Sequence, residues 1–137
     1  MSYVNDPGIH RLKSLSNTEL TETASTKLTW TIPASSKKWT LRGAEFHPTT
    51  AIGACTTACV VTLVHTPSGG SADTILTCTL TASTGVGTNL VFTVNETGED
   101  YVDLNAGDTL AITITTAMSG GTTGGAGDIW LFLSLLP

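Results

Sequence analysis

Four sets of residues in this chain could do chemistry. The acids Glu96, Glu99, Asp100, Asp103 and Asp108 crowd one stretch. Paired carboxylates can pass protons, and acidic loops can hold calcium through oxygen ligands. Their spacing does not follow the Asp-x-Asp-x-Asp-Gly calcium loop, so a solvated acidic turn is the plainer expectation. His10, His47 and His65 have no metal-helix spacing, and His65 ends a strand-like run, where it reads as a satisfied edge histidine. Three cysteines, Cys55, Cys59 and Cys78, cannot form a fully paired framework within one chain. They read as small buried or half-buried thiols, with a Cys55–Cys59 disulfide as the alternative. Zinc would need a fourth ligand at good spacing, and nothing beyond the nominal His47 and His65 supports one. Trp30, Trp39 and Trp130 could form a stacking platform for sugars. Trp30 and Trp130 lie in runs of strong apolar alternation, which favours core packing. Gly120-Gly121 and Gly124-Gly125 lack the Lys and Ser/Thr that complete a phosphate loop, and Gly-x-Ser-x-Gly is absent. These residues predict no enzyme, no cofactor and no metal.

The elements that must position these residues are strands. Of 137 residues 27 are Thr, a β-branched type suited to a pleated, half-exposed surface and poor inside a helix. Alternation predicts eight strands: around Leu28–Ile32, Trp39–His47, Cys59–His65, Thr74–Leu80, Asn89–Asn95, Tyr101–Leu104, Thr109–Thr116 and Asp128–Leu136. Turn signals separate them at regular intervals, including Pro67-Ser68-Gly69-Gly70 and Asn105-Ala106-Gly107-Asp108. The fold expected is all-β: an antiparallel, eight-stranded β-sandwich, jelly-roll-like, over residues 27–137. Residues 1–26 are polar and irregular and read as an extended N-terminal arm, with a short helix around Leu15–Thr23 capped by Asn17. The last strand is apolar on both faces, so it is either central and covered or packed on another subunit through Trp130, Phe132 and Leu136. No Lys follows position 38 to guard strand edges, which points to shielding by acids, by the arm or by neighbouring chains.

Charged residues make up only 12% of the chain, about half the usual share, so much of the surface must be hydroxyl and backbone. All six Lys and Arg lie in residues 1–42, where three acids leave +3; residues 43–137 hold the other eight acids and sum to −8. Six scattered cations make no phosphate-binding patch, so no nucleic acid is expected as partner. The basic segment reads either as a solvated arm or as one that docks on an acidic surface, with Arg11 and Lys13 foremost. No run of apolar residues suits a membrane span, and no secretory leader is visible between Met1 and Leu20. Synthesis in the cytoplasm without a cleaved leader is the expectation.

These parts together resemble the small β-sandwich structural proteins of tailed bacteriophages, in particular the capsid decoration or cement proteins. The resemblance rests on the polar residues 1–26, the Thr-rich strands, the turn Val102-Asp103-Leu104-Asn105-Ala106-Gly107-Asp108-Thr109-Leu110 and the apolar C-terminal strand. A Leu-x-x-Gly-Asp-x-Leu turn like Leu104–Leu110 recurs in jelly-roll domains. The resemblance implies a virion structural protein on the capsid surface. It would be a homotrimer binding the outer surface of the major capsid protein shell, with the arm supplying charged contacts through Arg11 and Lys13. The alternative is a receptor- or carbohydrate-binding β-sandwich module of a tail fibre or tailspike.

Overall fold

Apolar alternation in the chain is resolved into two facing sheets. The computed structural model describes residues 8–34, 38–95 and 102–136. Among these, the strands are β1 (Gly8–Leu15), β2 (Thr26–Thr31), β3 (Lys38–Thr50), β4 (Cys55–Thr57), β5 (Cys59–Thr66), β6 (Asp73–Leu80), β7 (Leu90–Val91), β8 (Thr93–Val94), β9 (Val102–Leu104), β10 (Thr109–Thr116), β11 (Ser119–Gly121) and β12 (Ala126–Leu136). One helix, α1, spans Asn17–Thr21. All pairings are antiparallel. Sheet A runs β1-β12-β3, with β7 and β9 both paired to the far side of β3. Sheet B runs β2-β10-β5-β6-β8, and β11 and β4 form a small third sheet.

The expected all-β, antiparallel class is therefore observed, with twelve strands in three sheets among the described residues rather than eight. Two differences have clear physical causes. Residues 8–26, expected as an arm, are part of the fold: β1 pairs with β12 from Gly8↔Leu133 to Leu15↔Gly127, and α1 follows. Leu15 and Leu20 anchor this segment at 1% and 0% exposure. Two apolar residues that far apart are too sparse to show a period. The helix cap is Ser16 rather than Asn17. The Ser16 hydroxyl accepts the Glu19 backbone N–H, and Glu19 Oε1 accepts the Ser16 N–H at 3.2 Å, a capping box.

The core lies between the sheets. Leu41, Phe46, Ile129, Leu131 and Leu133 of sheet A join Val61, Leu63, Leu80, Leu110, Ile112 and Ile114 of sheet B in one buried cluster. This is period-two alternation made physical: each buried residue is flanked by outward ones. The edges are blunted within the chain. β1 is bulged between Arg11 and Lys13, β2 is bulged beside Lys27, and β7, β8 and β9 are only two or three residues long. Bulges and short strands are standard edge protection, so neighbouring chains are not needed for that purpose.

The Gly-rich segment Ser119–Gly127 forms β11 and packs back on residues 52–56 instead of projecting. Gly121 has φ +64°, and a Cβ there would sit 2.5 Å from the Ala54 carbonyl oxygen. Buried Met118 at its root accepts the Gly124 N–H on its sulfur. Such close backbone approach is the reason for glycine here.

Candidate protein-docking face

Strand β12 lies inside sheet A, between β1 and β3. Its Ile129, Leu131 and Leu133 are in the core, so Trp130 and Phe132 point outward, and both are half-buried. Register then decides their neighbours. Arg11 of β1 and Glu45 of β3 flank Trp130, while Ile9 and Gly43 flank Phe132. Ser14 and His47 flank Asp128 one rung further, and Val91 of β7 lies beside Glu45. Ile9 and Val91 are 60% and 64% exposed. The result is an aromatic centre with apolar shoulders and a charged surround.

The charges are held in place by one another. Asp128 accepts the Ser14 hydroxyl at 2.6 Å and lies 4.0 Å from the Arg11 guanidinium. His47 Nε2 lies 2.9 Å from Glu45 Oε1, and its ring tilts over Trp130 with centroids 5.8 Å apart. Arg11 remains the accessible member, its side chain 59% exposed. Phe132 continues the apolar surface over Gly43 into a cleft of about 220 Å³ bordered by Val91, Phe92 and Val102.

Of the residues expected to dock or to pack, the structure brings Arg11, Trp130 and Phe132 onto one face. Lys13 turns away, 3.1 Å from Glu19 on α1. The Glu19 carboxyl is held below its usual range: burial opposes its charge, and the Ser16 N–H, Lys13 and the Ser16 hydroxyl together outweigh that. The side chain of Leu136 lies outside the described residues, although its backbone pairs with Lys38. Glu45, His47 and Ile9 were not anticipated here. His47 and Glu45 alternate with buried Phe46, a two-residue period that marked them as outward without telling which face they share.

The other chemical candidates fall elsewhere. Glu96, Glu99 and Asp100 lie outside the described residues. Asp108, expected in a solvated acidic turn, is 3% exposed. It accepts N–H groups from Ser68 (2.9 Å) and Asn105 (3.0 Å) and lies 2.9 Å from His65 Nε2. It thus ties the β5–β6 and β9–β10 turns to the end of β5. A carboxylate with three donors can be buried where a bare one could not. Cys55, Cys59 and Cys78 are free thiols. Burial, with Cys55 and Cys78 nearby, pushes the Cys59 thiol up to about 12, and burial pushes Cys78 to about 11. Among the described residues no group of three or more His, Cys, Asp or Glu side chains is arranged to hold a metal ion. Trp30 and Trp39 pack against the core, Trp39 edge-on to His10, while Trp130 stands apart on the outer face. The three indoles therefore form no common platform. No helix among the described residues is long and apolar enough to cross a membrane.

Comparison with known proteins returned no matching family model, no curated relative and no similar solved structure.

Proposed function

We propose that this chain is a virion structural protein of the capsid-decoration kind, without catalytic activity, that docks on a major capsid protein through the outer face of sheet A. The observation that carries this reading is the register Arg11–Trp130–Glu45 with Ile9–Phe132 beside it. Trp and Arg dominate the binding energy of protein interfaces, set in an apolar centre with a polar rim. The charge from the N-terminal segment and the aromatics of the C-terminal strand, which could have served two partners, form one surface. Its mixed charges, Arg11 and Glu45 on either side of Trp130, give a partner of different sequence a pattern to match.

The strand order supports the jelly-roll form of this reading. With β4, β11 and the two-residue β7 and β8 set apart, β1-β12-β3-β9 faces β2-β10-β5-β6, and the chain crosses between the sheets repeatedly as nested Greek keys do. Such a domain presents two broad faces and can act as a rigid clamp, stabilising an assembled shell by binding it more tightly than its dissociated parts.

Co-sedimentation of the purified chain with shells of the major capsid protein from the same virus tests the proposal. Wild-type protein is expected to pellet with shells, and Arg11→Glu and Trp130→Ala to stay in the supernatant while remaining folded. Failure of folded wild-type protein to bind would overturn it. One observation favours a second reading, a carbohydrate-binding module: polar groups of Arg11, Glu45, His47 and Asp128 ring a single outward indole. Quenching or shifting of Trp130 fluorescence by glycans, lost in Trp130→Ala, would select that reading.

A further inference from the structure

The opposite face of the molecule is of another kind. Sheet B turns its inward residues into the core, and its outward residues include a rung of five threonines, one from each strand: Thr26, Thr113, Thr62, Thr77 and Thr93. The neighbouring outward positions on the central strands are again small and uncharged, among them Val64 opposite Ala111. The one cation of β2, Lys27, sits in the bulge with its side chain 5% exposed and paired with Glu22. Among the described residues the outward positions of this five-stranded face carry no charge, which is unusual for a surface left in water.

Several hydroxyls along the central rung of this face are already engaged within the chain. Thr62 donates to the Thr113 carbonyl (3.2 Å), Thr93 to the Thr77 carbonyl (3.1 Å), Thr115 to the Val60 carbonyl (3.4 Å) and Thr77 to Asn95 Oδ1 (2.6 Å). Thr26 and Thr113 share a hydrogen bond at 3.1 Å. The penalty for drying a polar face comes from donors left unpaired. Four of these hydroxyls donate, and one of the Thr26–Thr113 pair does, before any contact is made, and methyl groups remain to be buried.

We infer that sheet B is the contact between two copies of this chain, stacked face to face about a two-fold axis. This goes beyond the docking of sheet A and does not depend on it. Three arguments select a second copy as the occupant. A two-fold axis sets the patch against its own copy, and a patch whose described residues are uncharged meets itself without any clash of like charges. A face whose described residues carry no charge offers no charge pattern by which to select a different partner. Strand spacing of about 4.8 Å and a rise of about 3.3 Å per residue give five strands of this length an area of roughly 500 Å². Two copies then bury about 1,000 Å², near the lower limit for a specific interface, so the dimer forms reversibly with concentration. Stacked sheets about 10 Å apart are the ordinary geometry of such a contact.

Light scattering or sedimentation equilibrium across a wide concentration series tests this directly. The mass is expected to rise from monomer towards dimer. Val64→Lys and Ala111→Lys, both outward on central strands, are expected to weaken association about tenfold or more. Trp130→Lys should leave the mass curve unchanged, so that failure here and failure of shell docking are separate results. Hydroxyl-radical footprinting of the unaltered protein provides a second reading, with protection of Val64 and Ala111 appearing as concentration rises. A monomer at every concentration would overturn the inference. So would a dimer indifferent to both Lys variants, a dimer broken by Trp130→Lys, or a trimer.

Discussion

Asp108→Ala is the sharpest test of how the turns of this fold are held. The wild-type carboxylate lies 2.9 Å from the Ser68 N–H nitrogen, 3.0 Å from that of Asn105 and 2.9 Å from His65 Nε2, with its side chain 4% exposed. An ionised carboxylate only accepts, so His65 Nε2 is the donor in that pair. Alanine removes the acceptor of the Ser68 and Asn105 N–H groups, which lie in exposed turn residues, and of the nearly buried His65 imidazole. A buried donor left without a partner costs about 1–3 kcal/mol and breaking a buried pair about 3–5 kcal/mol, effects that overlap rather than add. The expected loss is about 3–5 kcal/mol, a large part of the roughly 5–15 kcal/mol that holds an ordinary domain together. With a urea slope near 2 kcal/mol/M, the midpoint should fall by about 1.5–2.5 M. Asp108→Asn retains an acceptor oxygen but sets an amide N–H₂ against a donor, so it should lie between. The pH dependence adds a second readout. Burial works against the Asp108 charge, but the hydrogen bonds from Ser68, His65 and Asn105 and the charge of His65 outweigh it, so its pKa is lowered. A lowered folded pKa contributes stability that is present above the unfolded value of about 3.9 and is lost as pH falls through the folded value. The wild-type midpoint should therefore drop across that acid window, and Asp108→Asn should show a shallower drop. A loss below about 1 kcal/mol in Asp108→Ala, or identical acid slopes for wild type and Asp108→Asn, would refute the reasoning.

Other consequences are open to simple measurement. In native protein near neutral pH, Cys55 should react with a thiol reagent while Cys59 and Cys78 stay silent until urea unfolds the chain, since burial raises both their pKa values and limits access; fast labelling of three thiols in folded protein would contradict this. Glu22→Gln should destabilise by about 1–3 kcal/mol, because the Lys27 side chain is 5% exposed and would lose its charged partner; an unchanged thermal midpoint counts against a confined ammonium. Gly121→Val should lower stability more than Gly85→Val, since a Cβ at 121 meets the Ala54 carbonyl at positive φ and a Cβ at 85 meets nothing within 4 Å. Leu131→Ala should remove about 2–5 kcal/mol as a core cavity, whereas its neighbour Trp130→Ala should affect stability less and binding more.

Much of this architecture could be read directly from the sequence. Period-two alternation marked β2, β3, β5, β6, β10 and β12, because burying one face of a sheet imposes that period on any chain. It also put Ile129, Leu131 and Leu133 on one face of the last strand and Trp130 and Phe132 on the other, but it favoured core packing for Trp130, which the structure places on the outer face. Thr between the apolar positions marked the wet face of sheet B. The residues read less well where contacts replace period. β1 has a bulge at Leu12 that breaks its alternation, so a paired edge strand looked like an arm. β11 is three residues of Ser and Gly, held by backbone approach that leaves no side-chain trace. Asp108 looked like one acid among several, and only folding brings His65 and Ser68, from the end of β5 and the turn after it, to the turn that holds Asn105 and Asp108. The same holds for the docking face. Composition and alternation named Arg11 and Trp130 as candidates, but they are 119 positions apart, and only the β1–β12 register makes them neighbours. Local pattern specifies which way a side chain points; which other side chains it meets depends on strand pairing, a long-range choice decided by the whole core at once.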